Sequence, residues 1–145
     1  LMVTPSKFSD GNQRWEVLLS GQQRLWTRPS WFVDGGVEVF GTHNSRTDVP
    51  YYSPRSAYSL VPTLTWNHTI FQRYETAWTQ EASVGLGSLH QRDYGSGAIG
   101  MLSYGQRYKA NDVFEVGGTL STLSRPYDGV REREWRVVFD MTFRF

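Results

Sequence analysis

Six acidic side chains are the best candidates for chemistry, because each lies in a segment where polar and apolar residues alternate. Such alternation places them together on one polar face of a sheet. Carboxylates spread over a face attract cations weakly and reversibly, which suits guidance of a charged ligand. The alternative is that they pair with basic residues of the same segments and fill a polar interior. The acids are Glu16, Asp34, Glu38, Glu81, Glu115 and Asp140, and the basic residues are Arg14, Arg24, Arg107, Arg136 and Arg144.

The three histidines lack the partners that metal or acid–base chemistry needs. His43, His68 and His90 fall in a loop, on an apolar face and at a strand end, with no base–nucleophile arrangement beside them. The chain contains no Cys, which excludes a thiolate metal site and a disulfide scaffold. We therefore expect no catalytic residue, no metal and no cofactor, and we predict that this segment is not an enzyme.

Composition indicates a single strand-rich domain over residues 1–145. The 15 Lys+Arg and 14 Asp+Glu give a net charge of +1, so there is no electrostatic reason to expect a nucleic-acid partner. The 6 Trp, 8 Tyr, 8 Phe and 14 Gly favour strands and turns over helices. No run approaches the roughly 18 apolar residues of a spanning helix, but a spanning strand needs only every second residue to be apolar.

Turn-forming residues divide the chain into eight segments. Most are longer than the about five or six residues usual for strands of soluble proteins. The alternation is clearest in the last segment, where Trp135, Val137 and Phe139 oppose Arg136 and Asp140. The predicted strands cover residues 1–8, 13–27, 30–42, 57–71, 76–91, 97–109, 113–125 and 131–145.

Three features favour lipid on the apolar side and water on the polar side. The segments exceed the about 9–11 residues that a tilted strand needs to cross a bilayer. The polar face carries full charges that a dry core would not accept unpaired. Aromatic residues of the apolar face also gather near the segment ends, as in the two girdles of an antiparallel transmembrane β-barrel. One girdle contains Trp31, Trp66, Trp78, Phe114, Phe143 and Phe145, and the other contains Trp15, Tyr58 and Trp135.

The connections sort into two sets that differ in length. Those on one side, at 28–29, 72–75 and 110–112, are all short. Those on the other side, at 9–12, 43–56, 92–96 and 126–130, include one long loop. Outer-membrane barrels have short periplasmic turns and longer outer loops. The pattern therefore predicts a bacterial outer-membrane location, contact with outer-membrane lipids and a periplasmic C-terminus.

Other classes of protein share part of this pattern. Alternation alone also fits a soluble sandwich or a lipocalin-like barrel, but the charged face argues against an apolar interior. A complete eight-stranded barrel with an anchoring or adhesion role stays open, because balanced charges can fill a small lumen. A lipid-modifying enzyme of the outer membrane would need a His beside a Ser or Asp at one rim, and no such cluster is evident.

The last segment resembles the terminal strand that the outer-membrane barrel-assembly machinery recognises. Such strands end in alternating aromatic or apolar residues, here Phe139, Met141, Phe143 and Phe145. The usual pattern has a small residue five positions before the final aromatic, where this chain has Asp140. We expect these four side chains to form the assembly signal.

Six short stretches resemble, in order and spacing, the C-terminal barrel of the PgaA/HmsH family, which exports poly-β-1,6-N-acetylglucosamine. That barrel has sixteen strands and follows a periplasmic tetratricopeptide-repeat domain, so the resemblance implies that this chain is the C-terminal half of a barrel. A Tyr-x-Ser-Pro element also occurs in cellulose-exporting porins, which leaves cellulose as an alternative polymer. The stretches are Tyr51 to Arg55, Phe71 to Glu75, Gln91 to Gly95, Tyr104 to Arg107, Asn111 to Phe114 and Arg125 to Gly129.

The resemblance also implies a partner and roles for particular residues. The family's polymer is a biofilm exopolysaccharide that is partly de-N-acetylated and therefore cationic, which implies a periplasmic deacetylase as a second partner. The six acids and Arg107 would line its path, and transport would be passive. Tyr51 and Tyr52, in the longest outer loop, would gate the pore or stack against sugar rings. The alternative for both tyrosines is an ordinary loop stabilised by proline.

Overall fold

The chain folds into one antiparallel sheet of eight strands, seen in a computed structural model that describes residues 1–92, 94–127 and 130–144. Every segment predicted from the turn signals is a strand, and the all-β fold is confirmed. Within the described residues, no helix has the length and apolar character needed to cross a membrane. The strands are β1 (Met2–Lys7), β2 (Gln13–Thr27), β3 (Trp31–Asn44), β4 (Ser56–Arg73), β5 (Thr76–Gln91), β6 (Gly95–Lys109), β7 (Phe114–Tyr127) and β8 (Val130–Phe143).

Each strand pairs with its neighbours in sequence, so the sheet is a meander from β1 to β8. Among the described residues no ladder joins β8 to β1, and the sheet is open. The described strands therefore do not form the closed eight-stranded barrel that the sequence left as an alternative. The two free edges are the short β1 and the 14-residue β8.

Two neighbouring rows of residues, read across the ladders, show how the faces differ. The row through Asp34 on β3 is entirely polar, and the row through Val33 contains only apolar and aromatic residues. We call the first side the polar face and the second the apolar face. The polar row is Arg24, Asp34, Thr65, Ser83, Ser103, Ser121 and Arg136, and the apolar row is Trp26, Val33, Trp66, Ala82, Tyr104, Leu120 and Val137.

Two β-bulges break the strict alternation that the sequence predicts, both near the short turns. On β2 the register shifts between Arg24 and Trp26, so Trp26 pairs with Val33 and faces the apolar side. On β4 it shifts between Thr69 and Phe71, and Phe71 pairs with Trp78. A bulge inserts one extra residue, which reverses the face of every residue after it. Each bulge thereby adds an aromatic residue to the apolar face near the rim.

The polar face is not polar throughout. Ala57, Val61, Leu89 and Ile99 are buried together there, with Leu123 packed against them. Ile99 breaks the alternation of its segment when read from sequence, and the structure explains this because its side chain belongs to the cluster. This apolar cluster lies toward the end of the sheet that carries the long loop.

A proline in the middle of the sheet is accommodated by a glycine on the next strand. Pro62 has no N–H to donate, and the β4–β5 ladder is interrupted between the pairs Leu60–Ser88 and Thr63–Gly85. At Gly87 a side chain would collide with the Leu60 carbonyl oxygen and approach the Val61 Cα to 2.8 Å. The backbones of β4 and β5 therefore come close at Gly87, where the ladder hydrogen bonds are interrupted, and only glycine fits there.

The connections have the two lengths that the sequence predicts. β3 and β4 are joined by the long loop 45–55, whereas β4 and β5 are joined by Tyr74 and Glu75 alone. Gly95, in the predicted connection 92–96, has a φ of 81°, a conformation that glycine adopts readily in tight turns. Asp93, Asp128 and Gly129, which belong to the same predicted turns, and Phe145 lie outside the described residues.

Candidate functional site

The structure places all six predicted acids and Arg107 on the polar face, the acids on five strands and Arg107 on a sixth. It does not bring them into one cluster. In the described part of the chain, no group of three His, Asp or Glu side chains could hold a metal ion. The acids instead divide into those paired with arginine and those without an ion pair, and this division determines what the face can bind.

Arg107 pairs with two of the acids and links three strands. Its Nη1 lies 2.6 Å from Glu115 Oε1 on β7 and 2.9 Å from Asp140 Oδ2 on β8. A side chain at Gly117 would lie 2.8 Å from Asp140 Oδ1 and 3.2 Å from the guanidinium carbon. The glycine leaves room for the guanidinium between the two carboxylates. Glu115, Asp140 and Arg107 therefore form one ion-pair network of two carboxylates and one guanidinium, with a net charge of −1.

Asp34, on β3 of the same polar face, is neutralised by Arg24 of β2. Arg24 Nε donates a short, charge-assisted hydrogen bond to Asp34 Oδ1, and Gln22 Nε2 donates to Oδ2 at 3.2 Å. The same guanidinium lies 3.5 Å from the centre of the Phe32 ring, a cation–π contact. Asp34 is buried and cannot offer its charge to a passing ligand.

Glu16, Glu38 and Glu81 make no ion pair with any described residue. They lie at different positions along the strand direction, which can be compared on β3. Glu16 pairs with Thr42 of β3, and Glu38 is itself on β3. Glu81 pairs with Asn67 of β4, which in turn pairs with Phe32 of β3. At about 3.4 Å per residue, the gaps between these rows are roughly 14 Å and 20 Å along the strand. The three unpaired carboxylates thus form a spaced line along the polar face, from the long-loop end to the short-turn end.

The long loop 45–55 is anchored at its start by Asn12, which is completely buried. Asn12 Oδ1 accepts hydrogen bonds from Arg46 N at 3.0 Å and Ser45 Oγ at 3.2 Å. Its Nδ2 donates to Tyr51 Oη and Ser53 Oγ, both at 3.2 Å. All four hydrogen-bonding positions of the amide are used, so this side chain fixes the loop conformation.

A second anchor holds the end of the loop against β2 and β3. Arg14 Nε donates to Asn44 Oδ1 at 2.8 Å, and Asn44 Nδ2 donates to the Pro54 carbonyl at 2.7 Å. Arg14 Nη2 reaches the Tyr52 carbonyl at 3.1 Å. The predicted ion pair between Arg14 and an acid is therefore replaced by hydrogen bonds to the loop.

The two loop tyrosines have different surroundings. Tyr51 lies against the connection between β1 and β2, because its hydroxyl donates to Asp10 Oδ2 at 2.9 Å and its ring lies 5.5 Å from that of Phe8. Tyr52 packs against Tyr127 at 4.4 Å and Tyr94 at 5.5 Å between ring centres. Tyr52 therefore fastens the loop across the polar face to the end of β7.

Asp10 keeps its charge while it holds Tyr51. The backbone N–H of Asn12 donates to Asp10 Oδ1 at 3.0 Å and, with the Tyr51 hydroxyl and Arg46, lowers the pKa of the Asp10 carboxyl below its usual value. The carboxylate therefore stays ionised at neutral pH, and the loop keeps this contact.

The sequence reading missed the buried polar residues that hold the loop. Asn12, Asn44 and Gln91 are buried, and Gln91 Nε2 donates to the Pro126 carbonyl at 3.3 Å. Each stands at the end of a strand, where a polar residue is ordinarily taken as turn-forming and exposed. Only the position of the folded loop distinguishes them, so a single sequence offers no signal for their role.

The predicted girdle residues that the structure describes lie on the apolar face. Phe114 and Phe143 pack at 6.0 Å near the short-turn end, and Tyr58 lies against His90 at 5.0 Å near the other end. Trp66 stacks on His68 at 5.2 Å. Trp15, Trp31, Trp78 and Trp135 share this face, as do Phe139 and Met141 on the edge strand β8.

Polar groups near the short-turn end of the apolar face satisfy one another. Trp78 Nε1 donates to Gln106 Oε1 at 3.1 Å, and Gln106 Nε2 donates to Tyr104 Oη at 2.6 Å. Tyr104 in turn donates to Gln80 Oε1 at 2.8 Å, and Gln80 Nε2 lies 3.0 Å from His68 Nδ1. Such a chain lets polar side chains lie among aromatic ones at the level where a membrane meets water.

Comparison with known proteins agrees with this arrangement. The sequence matches the family model described as the PgaA membrane β-barrel domain over residues 1–145. Over 138 residues it is 44% identical to the poly-β-1,6-N-acetyl-D-glucosamine export protein of Escherichia coli (strain K12) and, equally, to the protein of that name from Escherichia coli O157:H7. Each match covers 95% of this chain but only 17% of the relative, so the chain spans about a sixth of their length.

A solved structure described as a bacterial polysaccharide outer membrane secretin has the same fold. The two chains match with a TM-score of 0.92 at 43% sequence identity. The match covers 99% of this chain and 49% of the secretin chain.

Proposed function

The chain belongs to the PgaA membrane β-barrel domain family, and from this we propose that it forms one side of an outer-membrane pore that exports a polysaccharide of the poly-β-1,6-N-acetylglucosamine type. The observation that carries the proposal is the line of unpaired carboxylates along the polar face. Glu16, Glu38 and Glu81 are the predicted acids that form no ion pair with a described residue, so their charges can act on a passing polymer.

The chemistry of the polymer explains why a spaced line of acids suits transport. A poly-N-acetylglucosamine chain that has lost some acetyl groups carries ammonium groups at intervals. Carboxylates separated by roughly 14–20 Å attract such a chain at several points and hold it tightly at none, since each attraction is screened within about a Debye length of 8 Å. The polymer can therefore advance from one carboxylate to the next.

The barrel supplies a path and performs no reaction. Transport is passive, with the polymer pushed from the side of its synthase, and this segment is not an enzyme. The short turns face the periplasm and the C-terminus lies there. The apolar face contacts outer-membrane lipids, and Phe139, Met141, Phe143 and Phe145 form the signal read by the barrel-assembly machinery. A periplasmic deacetylase and a repeat domain of the parent protein are the expected partners on the inner side.

The open sheet supports a pore wider than eight strands. Both edges of the sheet need partners in a membrane, because lipid cannot hydrogen-bond to a free strand edge. The remaining strands come from elsewhere in the parent protein, as in a sixteen-stranded barrel of which this chain is about half. An eight-stranded barrel would leave no room for a polymer, because side chains fill its interior.

The long loop 45–55 acts as a gate at the outer end of this path. It crosses the polar face and is fastened by Tyr52, whereas Tyr51 anchors it to the connection between β1 and β2 through Asp10 and Phe8. Movement of the Tyr52–Tyr127 contact, with the Asn12 anchor intact, would widen the exit. The gating role thus falls to Tyr52, and Tyr51 has a supporting role.

Charge reversal tests the guidance role of the acids. In the full-length protein we expect Glu38→Lys with Glu81→Lys to reduce secretion of the de-N-acetylated polymer by about tenfold or more, because two attractive sites become repulsive. Export would be measured as extracellular polymer per cell, with the outer-membrane level of the protein checked by immunoblot. Glu75→Lys, in the short turn outside the path, is the matched control. Unchanged secretion by the double variant would show that the acids do not guide the polymer.

A further inference from the structure

A cavity of about 310 Å³ lies on the polar face under the long loop and belongs to no ion-pair network described above. It is bounded by residues of the strands from β2 to β7 and by the loop itself. Its lining includes Glu16, Thr42, Tyr52, Ala57, Ile99 and Arg125. We propose that this cavity, called here the outer cavity, is a binding subsite for a single amino-sugar residue of the exported polymer. This inference rests on the proposed function and assigns a definite stopping point to the path.

The base of the outer cavity is apolar. Ala57, Leu89 and Ile99, which belong to the buried cluster of the polar face, line it together with Phe40. A pyranose ring presents one or both faces as C–H groups, which pack well against aliphatic and aromatic side chains. Ala57, Leu89 and Ile99 are at most 9% exposed, and the small apolar area that they leave toward the cavity suits the C–H face of a sugar.

Two polar groups on one side of the cavity match the remaining chemistry of an amino sugar. Glu16 and Thr42 are direct cross-strand partners on β2 and β3, so their side chains lie next to each other. Glu16 has no ion pair with a described residue, and Thr42 Oγ1 is buried and forms no hydrogen bond within the described part of the chain. The carboxylate suits an ammonium group and the hydroxyl suits a ring hydroxyl. Arg14 does not compete for Glu16 through any described ion pair, and hydrogen bonds direct it to Asn44 and the Tyr52 carbonyl.

The loop makes the cavity a site and not an open groove. Tyr52 and Pro54 cover it from above, and the Tyr52–Tyr127 contact holds this cover in place. A volume of 310 Å³ is at the lower end of the about 300–1,000 Å³ found for ligand pockets, which suits one sugar residue better than a longer stretch of polymer. A polymer that pauses here has one residue held directly beneath the gate.

Binding measurements on the full-length protein in detergent test the subsite. The probes are a pentamer of β-1,6-linked glucosamine and its fully N-acetylated counterpart, titrated by calorimetry. We expect Glu16→Gln to weaken the pentamer of free amines about tenfold and to leave the acetylated one nearly unchanged. Thr42→Val should weaken both about threefold to fivefold, because both carry the same ring hydroxyls. Glu75→Gln removes an acid of the β4–β5 turn, outside the path, and is the matched control.

A second variant tests the subsite independently, in case the first variants fail to fold. Ala57→Leu fills the cavity from a different strand and should weaken both probes while Glu16 stays in place. Equal affinities for wild type, Glu16→Gln and Ala57→Leu would overturn the subsite. So would an equal effect of Glu75→Gln and Glu16→Gln on the pentamer of free amines. Secretion of polymer by the wild-type protein is measured in parallel: its absence contradicts the proposed function, whereas secretion with unaltered binding in the variants contradicts only the subsite.

Discussion

At the level of single residues, the acids of the polar face differ in the charge they can offer. Asp34, Glu115 and Asp140 each share a guanidinium, and their charges are largely cancelled. Glu16 and Glu38 have no such partner among the described residues. The paired acids stabilise the sheet, and the unpaired ones are available to a ligand. Substitutions in the two groups should therefore differ in kind, with stability lost in the first group and transport lost in the second.

The Arg107 network gives a test of the first group. Arg107→Gln removes a cation that lies 2.6 Å from Glu115 and 2.9 Å from Asp140, and it leaves two carboxylates close together. The Arg107 side chain is 48% exposed, so we expect a loss of only about 1 kcal/mol in the free energy of unfolding. Urea unfolding of the full-length protein, followed by gel mobility, would measure it.

The matched control for this change is Arg136→Gln. Arg136 pairs with Glu134 on the same strand, and both side chains are more than half exposed, at 67% and 53%. Exposed pairs of this kind contribute little, and we expect a change below about 0.5 kcal/mol. An equal loss in the two variants would mean that the Arg107 network does not stabilise the sheet.

The face of each acid could be predicted from the sequence, but its partner could not. Strand alternation assigns Glu115 and Asp140 to the polar side as soon as the strands are recognised. Whether Arg107 reaches both depends on the register of three strands and on the space over Gly117. Register is set by turn geometry and bulges, which leave only weak traces in a single sequence.

At the level of elements, the strands were predictable and the irregularities between them were not. Period-two alternation over long segments identifies all eight strands, because no helix or loop maintains it. The bulges at Leu25 and Ile70 could not be predicted, because one inserted residue alters the alternation at only the last few positions of a strand. The apolar cluster around Ile99 could not be predicted either, for a different reason. It interrupts the alternation, and in one sequence such an interruption is indistinguishable from noise.

The long loop is the element whose order depends most on one side chain. Asn12→Ala removes four hydrogen bonds from a completely buried position and leaves Arg46 N without its acceptor. Unsatisfied buried groups cost about 1–3 kcal/mol each, so we expect hydrogen exchange in residues 45–55 to accelerate by about tenfold or more. Exchange in the strands should not change, because their ladders do not involve Asn12.

Hydrogen exchange measured by mass spectrometry on the full-length protein would check this expectation. Thr47→Ala is the matched control, because Thr47 is an exposed residue of the same loop for which the structure shows no hydrogen bond. If exchange in the loop is the same in Asn12→Ala and Thr47→Ala, the loop is held by other contacts, of which the Tyr52–Tyr127 pair is the strongest candidate.

At the level of the whole molecule, the two faces of the sheet set its surroundings. One face carries an unbroken row of apolar and aromatic side chains from Trp26 to Val137, and most of them are exposed in the isolated sheet. A soluble protein rarely exposes so large an apolar surface, whereas a membrane barrel presents it to lipid. The polar face must then border water, because its three unpaired carboxylates are too costly to bury in a dry interior.

Val137 and Val138 provide an internal comparison of the two faces. They are adjacent on β8 and chemically identical, yet Val137 pairs with Leu120 on the apolar face and Val138 pairs with Thr119 on the polar face. This chain contains no Cys, so Val137→Cys and Val138→Cys can each carry one bimane label here, in a full-length protein whose other cysteines, if any, are replaced. In vesicles that contain doxyl-labelled lipid, we expect strong quenching at position 137 and little at 138. A water-soluble quencher such as iodide should give the opposite order, because position 138 borders the water-filled path. Equal quenching by lipid at both positions would contradict a lipid-facing apolar side and, with it, the assignment of the polar face to the pore.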